Sequence, residues 1–398
     1  MKVVAIICEF NPLHNGHALL IKKAKELTGA DAILCVMSGN FVQRAEPSIL
    51  DSRVRARAAL LCGADLVVEL PALYSTACAD RFSEGAVNII SSIKNVTHIA
   101  FGSECGDIEF LKKVASVQVQ ESDEFKSRLR EFLDSGISYP RALGLATKSE
   151  LGLETEVNLP NDLLGIEYLK ALKRCGDKVQ AVTIKRIGSH HDSELKGEFS
   201  SSSAVRGTVL GKNFSQAKKA LPKYVQKLVV DELKKWSVNY KLMEQFVVLA
   251  LRLNDLSVCP DSGEGLDIKL KKAAQEFVLL DDIFGSAKSK RYTLARIKRL
   301  ALQSVLGITH YPTIGEFKIP SRLIGVKKDL KGVLLPLMPK NIIVQNKDFD
   351  NYVAELGCEK DKAACEYIEK ISANASLIYP LLQGKNGLFY KSEGLLEV

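Results

Sequence analysis

"VVAIICEFNPLHNGHALLIKKA", residues 3–24, passes from an apolar run through a turn into apolar residues at helical spacing. The run is β-rich and apolar on both faces, as in a strand buried inside a sheet. "NPLHNG" makes the turn, and a helix opens near Gly16-His17. The chain has only six histidines, and two of them, His14 and His17, stand three apart at this helix start. Backbone N–H groups at a helix N-terminus point outward and attract anions. Residues three apart share a face, so two imidazoles can donate to one phosphate chain and stabilise charge on a departing pyrophosphate. Gly16 lets a nucleotide approach the backbone closely. A pair of surface or capping histidines is the plain alternative. The position directly after a first buried strand argues for nucleotide binding.

The segments that follow extend the pattern. "ADAILCVMSG", "ADLVVELP", "VTHIAFGSE" and "KVQAVTIKRI" read as four further strands, and "SILDSRVRARAALLCG", "SEGAVNIISSI" and "DLLGIEYLKALKRCG" as helices between them. Short apolar strands alternating with helices predict an α/β fold, a Rossmann-like doubly wound parallel sheet. In such a sheet ligands bind beyond the carboxyl ends of the strands. We expect this nucleotide-binding domain over residues 1–210 and a mainly α-helical domain over 211–398. The second part opens on lysine-rich amphipathic stretches such as "NFSQAKKALPKYVQKLVVDELKKW" and "NYKLMEQFVVLALRLN". Beyond about residue 312 prolines recur and the pattern loosens, until "DKAACEYIEKISANASLIYPLL" predicts a final helix.

At 398 residues the chain is long for one domain,. An apolar fraction of 46% and a charged fraction of 26% fit a globular protein with a full core,. No apolar run approaches the ~18 residues of a membrane span, and no membrane partner is expected. "MKVVAIICEFNP" reads as a first strand and not as a signal peptide. Nine cysteines, with no C-x-x-C, argue for a reducing compartment and against a disulfide framework or zinc site,. The expected location is the cytoplasm. A net charge of +8 permits a polyanionic partner without requiring one,.

A second anion-binding candidate is "FSSSSAVRGTVL", residues 199–210. Ser201, Ser202 and Ser203 offer hydroxyls at a helix start, with Arg206 one turn on. Alone, such a cluster is most often a plain N-cap. Together, "FNPLHNGH" and this serine turn resemble the H-x-G-H nucleotidyltransferase and class I aminoacyl-tRNA synthetase superfamily, which works on the α-phosphate of ATP. "SGNFVQRAEPSILD", "GADLVVELP", "FGSECGD", "PNDLLGIEYLKAL", "IKRIGSHH" and "KRYTLARIKRL" resemble, more closely, the bacterial tRNA(Met) cytidine acetate ligases. The likeness runs from residue 1 to about 300. Ala45 stands where the resemblance leads one to expect glycine in "FVQRAEP".

This resemblance implies ATP, with Mg²⁺, as the activating substrate, and acetate and elongator tRNA(Met) as partners. It implies acetyl-adenylate formation and acetyl transfer to N4 of the wobble cytidine, releasing AMP and pyrophosphate. His14 and His17 would be catalytic. The implied ATP site takes in Ile7, Cys8, Glu9, Phe10, Asn11, Pro12, Leu13, His14, Asn15, Gly16, His17, Ala18, Leu19 and Leu20, with Gly102, Asn161, Arg186 and Ile187. Arg44, Ser201, Ser202, Ser203 and Arg206 are candidate phosphate contacts. Gly102 also fits a strand end and Asn161 a helix N-cap.

Among the remaining charged stretches, Arg53, Arg55 and Arg57 fit a solvated helix face as well as an anion site. His190 and His191 with Asp192 do not converge easily on one ion, and no metal ligands are assigned. Glu69 and Glu84 are isolated acids. "KSKRYTLARIKRL", residues 288–300, holds Lys288, Lys290, Arg291, Arg296 and Arg299 without an acid, and Tyr292 among them can stack on a base,. The resemblance turns this patch into a tRNA-binding candidate, where charge alone fits a solvated face equally well. Two competing readings are a small-molecule adenylyltransferase of the same superfamily and a non-catalytic nucleotide- or RNA-binding protein. The first leaves the basic helical half without a role, and intact histidine and serine turns speak against the second. The residues do not reveal the oligomeric state, the acetate pocket or the groups that orient the cytidine amine.

Overall fold

A computed structural model describes residues 1–176, 178–187, 195, 199–315, 317–385 and 394–398. The first strand, β1 (Val3–Cys8), leads through the histidine turn into α1 (Asn15–Thr28), which ends at Gly29 in the left-handed conformation. β2 (Ala32–Ser38) follows, then a small hairpin of β3 (Phe41–Val42) and β4 (Glu46–Pro47), and α2 (Ser52–Leu61). β5 (Leu66–Leu70), β6 (Val96–Ser103) and β7 (Gln180–Lys185) complete the parallel part. The sequence thus identifies all five parallel strands.

The sheet order also includes β8 (Ser321–Val326) and β10 (Leu396–Glu397) and reads β10-β8-β5-β2-β1-β6-β7, with β9 (Ile342–Ile343) paired to β8. β1 is the centre from which the chain winds first toward β5 and then toward β7. The crevice between β1 and β6 is therefore the topological switch point. β8 runs antiparallel to β5, so the sheet is mixed, not purely parallel. That strand lies in the loosely patterned stretch after 312, where Pro320 and two flanking lysines hide a run of only six residues.

Alternation along the strands builds two cores. Val4, Ile6 and Cys8 face one layer with Ile33, Cys35 and Met37, while Val3, Ala5 and Ile7 face the other with Leu34 and Val36. Helices Ala79–Ser92 and Pro160–Arg174 cover the second face, and α1 and α2 the first. Beyond residue 210 the chain forms a helical lobe from Tyr240–Leu253, Leu266–Glu276, Leu280–Ala287 and Leu294–Leu306. Its final helix, Glu359–Leu382, returns to the sheet half, where Tyr379 donates its hydroxyl proton to the Ser48 carbonyl at 2.9 Å.

The hairpin turn has three residues, and Ala45 closes it at φ +57. Glycine is the unstrained choice at that φ, which explains why glycine is expected in "FVQRAEP".

α2 carries the one charged side chain among the largest fully buried ones, Arg55. Its Nε donates to the Leu50 carbonyl at 3.0 Å, and one terminal nitrogen to the carbonyls of Glu9 at 2.5 Å and Ser38 at 3.0 Å. The other terminal nitrogen donates to the Gly39 carbonyl. A solvated face accounts for Arg53 and Arg57 but not for Arg55, which fastens the carboxyl ends of β1 and β2. Arg55→Met keeps the volume and removes the donors, leaving buried carbonyls unpaired. It should lower the unfolding free energy by at least about 3 kcal/mol. A change below ~1 kcal/mol in urea melts would remove Arg55 from this role.

Candidate active site

His14 is the N-cap of α1, and its Nδ1 accepts the Gly16 N–H at 3.1 Å. The His14 N–H in turn donates to His17 Nδ1 at 3.3 Å. The two histidines thus form a capping box in which each ring's Nδ1 is occupied by a backbone donor. Each neutral ring must then carry its proton on Nε2. The rings stack at 3.7 Å, and Phe10 meets His17 edge-on at 5.0 Å. Gly16 has a further role here. A Cβ on it would lie 2.9 Å from His14 Cε1, so any side chain would push the ring out of place.

His14 is buried, and its Nε2 has no partner among the described residues. An orphaned donor lining a cleft calls for an acceptor from the ligand. Burial, with Arg186 and Arg206 nearby, lowers the His14 pKa to about 3. Burial, His14 and Arg186 lower His17 as well. Both rings are therefore neutral donors at physiological pH. α1 has no acid in its first turn to compete with an anion,.

The cleft holds about 590 Å³ of empty space counting its open mouth. Its walls bring together His14, Gly16, His17, Leu19, Leu20, Gly102, Arg186, Ile187 and Ser201, all singled out in the sequence. Ile184, Lys185, Phe199 and Ser200 also line it. They were missed, although their neighbours Arg186 and Ser201 mark the same strand end and helix start. Ser201 caps the helix Ser202–Leu210 by accepting the Ala204 N–H at 3.1 Å, so that N-terminus also faces the cleft.

The motif segments are joined by specific bonds. Asn161 Nδ2 donates to Glu104 Oε1 at 2.6 Å, and Asp162 accepts the Glu104 N–H at 2.8 Å. Arg186 donates to Asn161 Oδ1 at 3.4 Å, and its own N–H bonds the Ser103 carbonyl at 2.9 Å. A Cβ on Gly102 would come within 3.2 Å of the Arg186 side chain.

Other residues of the 7–20 stretch serve as framework. Ile7 and Cys8 lie within β1, and Phe10 and Leu13 are packed in the core. Asn11 Oδ1 accepts the Ile49 N–H at 2.9 Å, and Asn15 Nδ2 donates to the Lys219 carbonyl at 3.1 Å. Glu9 accepts the Gln43 N–H at 2.8 Å. Arg206 donates to the Asn11 carbonyl at 2.8 Å and to Ser203 Oγ at 3.1 Å, fastening the serine helix to the histidine turn. Arg44 is exposed at the hairpin tip. His190, His191 and Asp192 lie outside the described residues. Among the described residues no three His, Cys, Asp or Glu side chains cluster as metal ligands.

The basic stretch divides in two. Arg299 pairs with Asp261 at 2.9 Å and Arg296 with Glu264 at 2.6 Å, while Tyr292 donates to the Glu264 carbonyl. Lys288, Lys290 and Arg291 are exposed.

This geometry agrees with comparison to known proteins. A family model for HIGH nucleotidyl transferases matches residues 1–377. A tRNA(Met) cytidine acetate ligase of Thermoanaerobacter sp. strain X514 is 35% identical over 401 residues, covering 96% of this chain and all of that protein. Another from Clostridium botulinum strain Loch Maree is 39% identical, covering 78% of this chain and 80% of the relative. The chain belongs to the HIGH nucleotidyl transferases and, within them, to the tRNA(Met) cytidine acetate ligase family. Two crystal structures of Thermotoga maritima TmcAL, one apo and one bound with alpha-thio ATP, superpose with a TM-score of 0.91 at 29% identity over the full length of both chains. ATP binding is thus a property found within this family and fold.

Because both histidines stay neutral when folded, acidification has a defined sign. Their ordinary value is 6.5, so the unfolded chain takes up protons below that pH which the folded chain does not. Stability should fall as pH drops from about 6.5 toward 4, by up to ~1.4 kcal/mol per pH unit for each histidine. Urea midpoints at pH 6.5 and 5 should converge in the His14→Gln/His17→Gln double variant. Equal slopes for variant and parent would contradict the assignment.

Proposed function

We propose that the chain acetylates the wobble cytidine of elongator tRNA(Met) at N4, with acetate and ATP as co-substrates. Acetate attacks the α-phosphate, pyrophosphate leaves, and the acetyl-adenylate passes its acetyl group to the cytidine amine. The amine loses one proton and AMP departs. The observation that carries this reading is the pair of neutral Nε2–H donors at a helix N-terminus with no acid in its first turn. Both rings line the cleft together with the permanent cation Arg186. Such donors are preorganised for charge that develops in the transition state.

No acid lines the cleft among the described residues. Mg²⁺ would therefore ride on the phosphates and its own waters, as this ion often does. No helix of the described residues is long and apolar enough to cross a membrane, and a tRNA substrate puts the enzyme in the cytoplasm. A small-molecule adenylyltransferase remains the less favoured reading, because it gives the helical lobe no substrate to hold.

The test is acetate-dependent ATP–pyrophosphate exchange, followed by mass spectrometry of nucleosides from treated tRNA. His17→Ala and His14→Ala should each slow exchange by roughly 10²–10³, with ATP affinity changed much less. Normal exchange in a folded His17→Ala protein would remove the histidines from the mechanism.

Division of labour supplies a second test. Lys288, Lys290 and Arg291 have no described partner, whereas Arg296 and Arg299 are neutralised by acids of their own lobe. Replacing those three by glutamine should weaken tRNA binding and make it less salt-dependent, by ~0.7–0.9 in log–log slope per lost phosphate contact. Pyrophosphate exchange should be untouched. Unchanged binding would make the patch a solvated loop between the helices Leu280–Ala287 and Leu294–Leu306.

A further inference from the structure

A second open groove, about 2060 Å³ counting its exposed side, runs along α1 away from the nucleotide cleft. Leu19 and Phe199 line both spaces, so the two adjoin. From Asn15 to Glu26 the groove follows α1 for roughly 17 Å, at ~1.5 Å per residue. Its opposite wall is the segment Lys219–Gln226, whose register is held where Asn15 bonds the Lys219 carbonyl.

The charge of this groove is one-sided. Five lysines line it (Lys22, Lys25, Lys219, Lys223 and Lys327) against one acid, Glu26. Lys25 and Lys327 lean on the buried Asp65 at 4.0 and 3.0 Å, and Lys22 reaches Glu26 at 3.8 Å. Counting both acids leaves an excess of three positive charges. Lys219 and Lys223 are exposed, with no ion pair among the described residues. Tyr224, 58% exposed, stands beside Lys223 in the same wall.

We propose that this groove is the track for the single-stranded RNA next to the reacting cytidine, with lysines on its phosphates and Tyr224 stacked on a base. The proposal rests on the tRNA reading above and says where the strand leaves the chemistry. An RNA nucleotide whose amine attacks the acyl carbon of the acetyl-adenylate must continue along a surface next to the nucleotide cleft, and this groove adjoins it. A basic channel with an aromatic platform is what single strands require, and base–aromatic stacking contributes ~1–3 kcal/mol per base. The 288–291 patch lines neither space.

The experiment uses the full chain, an unmodified elongator tRNA(Met) transcript, and the triple variant Lys22→Gln/Lys219→Gln/Lys223→Gln. None of these side chains touches the nucleotide cleft, so acetate-dependent pyrophosphate exchange should stay within twofold of the parent. Affinity for the transcript should fall at least tenfold. The log K against log salt slope should become shallower by about 2, at ~0.7 per lost single-strand contact for three contacts. Tyr224→Ala should raise the KM for tRNA about fivefold or more while leaving pyrophosphate exchange within twofold, a split that a packing defect at α2 would not give, and Tyr224→Phe should restore the KM. Wild-type affinity and salt slope in the triple variant, alongside normal acetylation by the parent, would overturn the groove alone. A parent enzyme that exchanges pyrophosphate yet neither binds nor acetylates the transcript would overturn the tRNA reading and the groove with it.

Discussion

The buried guanidinium of Arg55 is the constraint on which the site depends. Strand ends at a carboxyl edge leave carbonyls pointing at the ligand crevice with no ladder partner. Here those of Glu9, Ser38 and Gly39, with Leu50 from the following loop, are gathered by one side chain. Desolvation of such a cation is costly and pulls its pKa down,. Four acceptors around it offset that cost. The result is that the residue after β1 and the hairpin after β2 cannot drift apart. The turn that follows Glu9 is the one that carries His14.

From that anchor the catalytic geometry propagates through backbone and not through long side chains. Asn11 bonds Ile49 just ahead of the Arg55-bound Leu50 carbonyl, and Arg206 carries the same turn to the serine helix. The two helix N-termini that face the cleft are thereby registered against one another. Arg206 was a candidate phosphate contact on sequence grounds; its described bonds give it the task of a clasp. A cation one turn into a helix suits either role, and the position of the Asn11 carbonyl supplies the clasp.

Much of this was legible in the chain. The five parallel strands and the crossover at residues 9–17 follow from apolar period, while the convergence of "FGSE", "PND", "KRI" and the serine turn is what the family resemblance implies. What was not legible depends on partners remote in sequence. Arg55 looks like its neighbours Arg53 and Arg57 until the strand ends close on it. Arg296 and Arg299 look free until Asp261 and Glu264, more than thirty residues earlier, turn back to meet them. β8 is a short strand held by partners that meet it only in the fold, β5 antiparallel on one side and the two-residue strands β10 and β9. The lysines of the α1 groove come from three separate stretches of chain, and no local pattern announces them.

The choice of histidine at 14 and 17 follows from what the site must avoid. A lysine pair there would bind ATP and pyrophosphate alike as point charges and would hold the product back. Buried imidazoles beside Arg186 stay uncharged, so their interaction with the resting triphosphate is that of neutral donors. On the proposed reading it strengthens as negative charge accumulates on the leaving group, which is the differential binding that accelerates a reaction. The same two rings must each keep Nδ1 unprotonated to receive the backbone, and only a neutral ring allows that. Capping the helix and keeping the donors neutral are therefore one requirement, met by spacing the histidines three apart with a glycine between them.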